Sequence, residues 1–186
     1  MSTSTSFLRY RIATPDDDDA IHRLNYATFV EEIPQHPTNV EQRLVDRFHA
    51  ENTYSLCIAA GELVGMVCGR CERPFSLDAK VADLDRHLPP HRRLVEIRLL
   101  AIERPYRKTT VFVNLVGLLA RHFVMRGCDL AVISGTVRQR ALYEHLGFEP
   151  FGARVGPAGA EYQPMYLTLE ALRVGSESGR TWAQSA

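Results

Sequence analysis

The chain has 186 residues, 45% of them hydrophobic, which is enough to fill the core of one domain without disulfides or a metal. Twenty-two basic side chains balance 22 acidic ones, so no overall field attracts nucleic acid or an anionic membrane, and any anion site has to be built locally. The four cysteines are scattered among apolar neighbours, and neither a signal peptide nor a run of about 20 apolar residues is present, so we expect a soluble protein of the reducing cytoplasm.

Residues 7–13 alternate apolar and polar side chains and predict a first strand. Thr14-Pro15-Asp16-Asp17 then supplies a helix N-cap, a proline at the first helical position and acids facing the positive end of the dipole. The four aspartates read as capping groups, because the alternating ligands and central glycine of a calcium loop are missing. Ile21, Leu24 and Ala27 or Thr28 line one side of this helix to about Glu31, and Ile33-Pro34-Gln35-His36-Pro37 breaks it. Asn39 to Ala50 predicts a second helix with Val40, Leu44, Val45 and Phe48 on one face. Tyr54–Ala60 and Leu63–Arg70 read as a hairpin around Gly61-Glu62. Cys68-x-x-Cys71 lacks a matching second pair, so the two thiols read as small apolar side chains and no metal is expected.

Residues 71–93 are irregular and charged, with one helix-like piece over Leu77–Leu88, and predict an insertion over one mouth of the fold. Leu94–Ile102 predicts a central strand, apolar at most positions apart from Glu96 and Arg98. A short loop carrying Arg107 and Lys108 leads into a helix from about Thr109 to Arg126, which stops at Gly127. Leu130–Ser134 predicts a strand, Val137–Leu146 a helix closed by Gly147, and 148–155 with 162–169 a closing strand pair around Gly156-Pro157-Ala158-Gly159. The order of elements predicts an α/β fold: a mixed sheet of about seven strands with helices on both faces, occupying residues 1–172. Residues 173–186 read as a flexible tail or linker.

That order, with Leu100-Ala-Ile-Glu-Arg-Pro-Tyr-Arg107 and Leu142-Tyr-Glu-His-Leu-Gly-Phe148, resembles the GNAT superfamily of acyl-CoA-dependent N-acyltransferases. In that superfamily the strand and following helix carry a pattern like L-x-V-x-P-x-x-R-G-x-G-x-G/A, whose glycines let backbone N–H groups approach the CoA pyrophosphate. Lys108, Thr110 and Phe112 stand at those three places here, and a Cβ or ring restricts that approach, while Lys108 and the Thr hydroxyls add donors of their own. A closer resemblance is to the branch with long-chain N-acyl amino acid synthases and acyl-homoserine-lactone synthases, many of which carry a strand like Glu96-Ile-Arg98-Leu-Leu-Ala. Those enzymes draw on an acyl carrier protein, whose phosphopantetheine arm lacks the adenosine diphosphate end and would relax the demand for glycines. The 71–93 insertion, with Phe75, Leu77, Val81, Leu84 and Leu88, would then cover an acyl chain.

N-acyl transfer needs an amine freed of its proton, a polarised carbonyl and a proton for the departing thiolate. Glu96 is the candidate general base, since burial disfavours its charged form; alternatively Glu96 and Arg98, on one face at i and i+2, only lock the strand. The resemblance implies that backbone N–H groups of Leu100, Ala101 and Ile102 hold the thioester arm, and that Tyr143 protonates the thiolate unless it merely packs against Gly147 and Phe148. Arg107, Lys108, Thr109 and Thr110 are candidate phosphate contacts, or an ordinary exposed helix start. Glu32 and His36 lie where relatives shape the acceptor pocket, or on a plain surface loop. No activated nucleophile and no Gly-x-Ser-x-Gly is present, so direct attack is expected. The expected partners are acetyl-CoA or acyl-CoA, or alternatively the acyl-phosphopantetheine of an acyl carrier protein, and a small-molecule amine. A non-catalytic binding module of this fold is the remaining alternative.

Overall fold

The computed structural model describes residues 7–107, 110–156 and 161–178. Its strands are β1 (Leu8–Ile12), β2 (Thr53–Ala59), β3 (Glu62–Arg70), β4 (Leu94–Ile102), β5 (Leu130–Thr136), β6 (Glu149–Pro150) and β7 (Tyr162–Thr168). They form a seven-stranded mixed sheet in the order β1-β2-β3-β4-β5-β7-β6, the α/β class expected. The α-helices are α1 (Asp18–Tyr26), α2 (Val111–Val124), α3 (Arg140–His145) and α4 (Leu169–Ser178). Among the described residues, no helix is long and apolar enough to cross a membrane. The chain divides into two compact units, one of residues up to Gly69 with Leu99–Arg121, the other of Arg70–Arg98 with the residues from His122 onward.

In the first unit β1, β2 and β3 pair antiparallel. The hairpin loop is Ala60-Gly61, one residue earlier than expected, with φ of 51° and 90°. Both central positions of a type I′ turn require left-handed backbone, and Gly61 supplies one of them without strain. Ile21 and Leu24 of α1 pack on one face with Tyr54, Leu56, Met66 and Ala101. On the other face Gly65 admits α2, since a Cβ there would lie 3.2 Å from Val111 Cγ1 and 3.3 Å from Leu115 Cδ1.

The entry to α1 is fixed by Asp17, whose carboxylate accepts both guanidinium N–H groups of Arg11 at 2.6 Å and the Thr14 N–H at 2.8 Å. These donors, Arg11 foremost, hold the Asp17 carboxyl at about 2. A lowered carboxyl stabilises the fold above its unfolded value and loses that contribution as pH falls through its folded value. Asp17→Asn is therefore expected to cost about 1 to 2 kcal/mol at pH 7, and the difference from the parent, read by urea melts, should shrink from about pH 5 and be gone by about pH 1. A difference that keeps its full size at about pH 1 would remove the ion pair as its cause.

The helix expected over residues 39–50 is absent. Asn39 Oδ1 accepts the Arg43 N–H, and its Nδ2 donates to the Arg43 carbonyl, while Asp46 Oδ1 accepts the Phe48 N–H. Side chains thus take the backbone groups that a helix would pair, Gln42 adopts φ 51°, and Val40 and Val45 stand exposed.

In the second unit β5 runs parallel to the start of β4 and antiparallel to β7, which also pairs with β6. Residues 71–93 do not form the expected cover or the helix over 77–88. Only Leu84–His87 makes a helical turn, and Phe75, Leu77, Val81 and Leu84 are themselves core, packed with Leu94, Leu130, Val132 and Phe151. Each of the larger side chains gains about 2 to 3 kcal/mol by this burial, so a sheet face with no other cover draws the segment inward. The opposite face packs Ile133, Met165 and Leu167 against Phe148, Leu146, Ala171 and Leu172.

The strand expected at 148–155 shrinks to β6 and a bridge from Val155 to Tyr162. Pro164 has no amide to give, and the Gln163 side chain donates to the Phe151 carbonyl at 2.9 Å, so side chain replaces ladder there. Residues 157–160 of the expected turn lie outside the described residues. Where a flexible tail was expected from 173, α4 continues to Ser178, started by Thr168, whose Oγ1 accepts the Ala171 N–H at 3.1 Å.

Candidate active site

Glu96 lies on β4 opposite Val132 of β5 and is 1% exposed. Its carboxylate accepts the Ser76 N–H at 2.9 Å, the Ser76 hydroxyl at 2.5 Å and the Leu77 N–H at 3.0 Å. Arg98 Nε stands 3.8 Å from Oε2, on the face the i, i+2 spacing requires. Both carboxylate oxygens are engaged, so the group fastens the 76–77 turn to the strand. Sequence named Glu96 and Arg98 but not Ser76 and Leu77, because no local signal marks a partner 20 residues away.

Inside β4 the residue after Arg98 breaks the regular extended backbone: Leu99 has φ 51°. A left-handed Leu costs roughly 1 kcal/mol and persists only where its surroundings impose it, which singles out the residues that follow, Leu100, Ala101 and Ile102. Ala101 is buried in the first unit's core, and the Glu103 N–H donates to the Val64 carbonyl at 2.9 Å. No sequence signal announced this bend, since Leu99 sits inside an apolar run.

In the first unit a pocket of about 310 Å³ is lined by Leu24, Thr28 and Glu32 on one side and by Glu103, Arg104 and Arg107 on the other. The α1 chain continues into a π turn over Ala27–Glu32, closed by the Ile33 N–H on the Thr28 carbonyl. Arg107 donates to Glu32 through both terminal nitrogens, at 2.5 and 2.6 Å, and through Nε to the Ile102 carbonyl at 2.7 Å. Arg104 adds a second cation 3.7 Å from Glu32. Arg107 holds the Glu32 carboxyl below its ordinary range, and Glu32 raises Arg107 in turn. Two residues assigned separately, one to the acceptor and one to phosphate, are thus brought together as a pair. Thr110 is exposed ahead of α2 and His36 is exposed outside the pocket lining, while Lys108 and Thr109 lie outside the described residues.

In the second unit the Tyr143 ring crosses Gly135 so closely that a Cβ there would lie 2.9 Å from its Cδ2. Its hydroxyl donates to Gln139 Oε1 at 3.1 Å, an oxygen that also accepts the Thr136 hydroxyl at 3.1 Å. Burial pushes the phenol up, so it holds its proton at neutral pH and is equipped to give it to a stronger base. Lys80 Nζ lies 3.4 Å from Ser134 Oγ and 5.1 Å above the Tyr162 ring, a polar edge that sequence did not indicate. Among the described residues no cluster of His, Cys, Asp or Glu could hold a metal ion.

Residues 20–168 match the family model of the N-acyl amino acid synthase FeeM. No curated protein sequence matches significantly. The structure of FeeM, an N-acyl amino acid synthase from uncultured soil microbes, superposes with a TM-score of 0.71 at 15% identity, covering 97% of this chain and 100% of that one. BjaI, a CoA-dependent acyl-homoserine lactone synthase seen with SAM and isopentyl-CoA, gives a TM-score of 0.76 at 16% identity over 92% of this chain and 89% of that one. A candidate N-acetyltransferase from Lactobacillus plantarum gives 0.65 at 17% identity over 87% and 98%. At these identities the superpositions establish a shared fold.

Proposed function

This chain belongs to the FeeM family of N-acyl amino acid synthases, and from that premise we propose that it moves an acyl group from the phosphopantetheine thioester of an acyl carrier protein to the amine of an amino acid. Acyl transfer itself follows from the family. The donor rests on one observation: Arg107, the best-placed phosphate contact, already gives three of its five N–H groups to Glu32 and the Ile102 carbonyl, in a loop without the small residues that a CoA pyrophosphate needs. A single pantetheine phosphate asks less of that loop than the adenosine diphosphate end of CoA.

The amine attacks the thioester carbonyl, the C–S bond breaks, the thiolate takes a proton and the amine proton leaves to water. Tyr143 is the proton donor in this reading, since burial keeps its phenol protonated and Gln139 fixes its hydroxyl. The bend at Leu99 supports the assignment of the Leu100, Ala101 and Ile102 backbone to the thioester arm. Arg98, a cation 15% exposed, is assigned to the carboxylate of the amino acid, and Glu96 to holding Arg98 and the 76–77 turn in place.

The reading is tested by following thiol release and product mass with long-chain acyl carrier protein and the matching acyl-CoA, across a set of amino acids. At least tenfold higher kcat/KM with the carrier protein is expected; equal or better use of CoA overturns the donor, and no thiol release with either overturns acyl transfer. Tyr143→Phe should lower kcat by roughly 10²-fold with donor KM unchanged. A variant turning over like the parent would exclude the phenol as proton donor.

A further inference from the structure

Two thiols in the second unit are not accounted for by acyl transfer. Cys71 follows β3, where the 71–93 segment departs, and Cys128 precedes β5; their sulfurs lie 3.1 Å apart. Both cysteines are reduced in this structure. Their meeting is not accidental packing of mobile ends, because the surrounding chain is fastened on several sides. Asp129 accepts the N–H groups of Arg92 and Arg93 at 3.0 and 3.1 Å, and its own N–H donates to the Arg93 carbonyl at 3.1 Å. Arg93 in turn donates to the Arg126 carbonyl at 3.1 Å and stands 3.8 Å from Glu72.

The pair is also asymmetric. Cys71 is partly exposed, whereas Cys128 is 4% exposed and its thiol is pushed up to about 12, chiefly by burial. Cys57 and Cys68, the other two thiols, are fully buried. An oxidant from solution therefore reaches Cys71 first, with Cys128 beside it as the resolving sulfur.

We propose that Cys71 and Cys128 are an oxidation site, at which a hydroperoxide converts the two thiols into a reversible disulfide clasp. The Cys71 sulfur attacks the peroxide, whose O–O bond breaks to release water or an alcohol and leaves a sulfenic acid on Cys71. The Cys128 sulfur then attacks the Cys71 sulfur, the S–S bond forms, and hydroxide departs and leaves as water with the Cys128 proton. Two electrons pass from the two thiols to the peroxide.

The clasp closes a loop of about 57 residues, so it restricts the unfolded chain and raises stability. It sits at the start of β5, about 20 Å along the strand from Thr136 and the Tyr143 hydroxyl that it positions through Gln139, so turnover at moderate temperature should not change. A protein locked this way resists unfolding under the conditions that oxidise it.

The test treats the reduced full-length protein with hydrogen peroxide, alkylates the remaining thiols, and digests with trypsin without reduction. Free thiols are expected to fall from four to two, with the peptides Cys71–Lys80 and Gly127–Arg138 recovered as one linked species lighter by two hydrogens. Dithiothreitol should reverse the change, and the oxidised form should melt about 5 to 10 °C higher. Cys71→Ser and Cys128→Ser, each on its own, should keep the reduced melting temperature within a few degrees and abolish the peroxide shift. Four intact thiols after treatment, a linkage through Cys57 or Cys68, terminal sulfinic acid on Cys71, or a shift that survives Cys71→Ser would overturn the proposal.

Discussion

Glu96→Ala is expected to cost about 3 to 5 kcal/mol and to lower Tm by about 10 °C or more, because it strands the buried Leu77 N–H and the partly buried Ser76 N–H and hydroxyl. Glu96→Gln is the sharper probe. One of its terminal atoms becomes an NH₂ group, and each carboxylate oxygen it could replace now faces an N–H donor, so a stability loss of about 2 kcal/mol is expected here as well. Turnover separates anchoring from proton abstraction. As an anchor, Glu96→Gln should keep kcat within about tenfold of the parent, well below its melting temperature, with the same pH profile. A fall of 10²-fold or more, with the acidic limb of the profile removed, would assign the carboxylate to the amine proton and displace the anchoring role.

Glu32→Ala and Arg107→Ala are expected to move donor KM in opposite directions. The Glu32 carboxylate occupies both terminal nitrogens of Arg107, the geometry a phosphate would take, so a donor phosphate has to displace it. Removing Glu32 frees the guanidinium and should lower donor KM about 3- to 10-fold. Removing Arg107 should raise it about tenfold or more and flatten its dependence on salt. Both side chains are partly solvent-exposed, so neither change should shift Tm by more than a few degrees. If the pair were only a lock between the π turn and the segment after β4, both variants would move KM the same way. That outcome, measured with the carrier-protein thioester over a salt series, would end the phosphate reading of Arg107.

Arg104 and Arg107 share one carboxylate, Glu32, so the two cations outnumber their anionic partner. The left-handed Leu99 interrupts the regular course of β4 immediately after the buried Glu96 and the partly buried Arg98, so anchoring and bending are adjacent on one strand. The 71–93 segment reaches Glu96 through the backbone amides of Ser76 and Leu77 and the Ser76 hydroxyl, while the Leu77 side chain packs in the core.

Much of this was legible in the order of residues. The bounds of β4 fall where the apolar run begins and ends, Gly127 and Gly147 take the left-handed backbone expected after their helices, and the GNAT-like strand order with its synthase branch stands. Such features are written within a few residues of one another: a period of two or 3.6, a cap, a glycine. The second helix was misread for a related reason. Val40, Leu44, Val45 and Phe48 have helical spacing, but Asn39 and Asp46 offer the backbone nearer partners, and Val40 and Val45 gain no burial.

The amino-acid sequence by itself determined the class of fold and the place of the central strand, because local backbone preference and hydrophobic period are short-range, and its motifs carried the resemblance to a family of chemistry. Only the tertiary structure decided that Glu96 holds Ser76 and Leu77, that Glu32 answers Arg107 from 75 positions away, that residues 71–93 are core, and that Cys71 meets Cys128. Each of these depends on which distant groups share a desolvated space, and a charge or thiol takes its role from the partner it finds there.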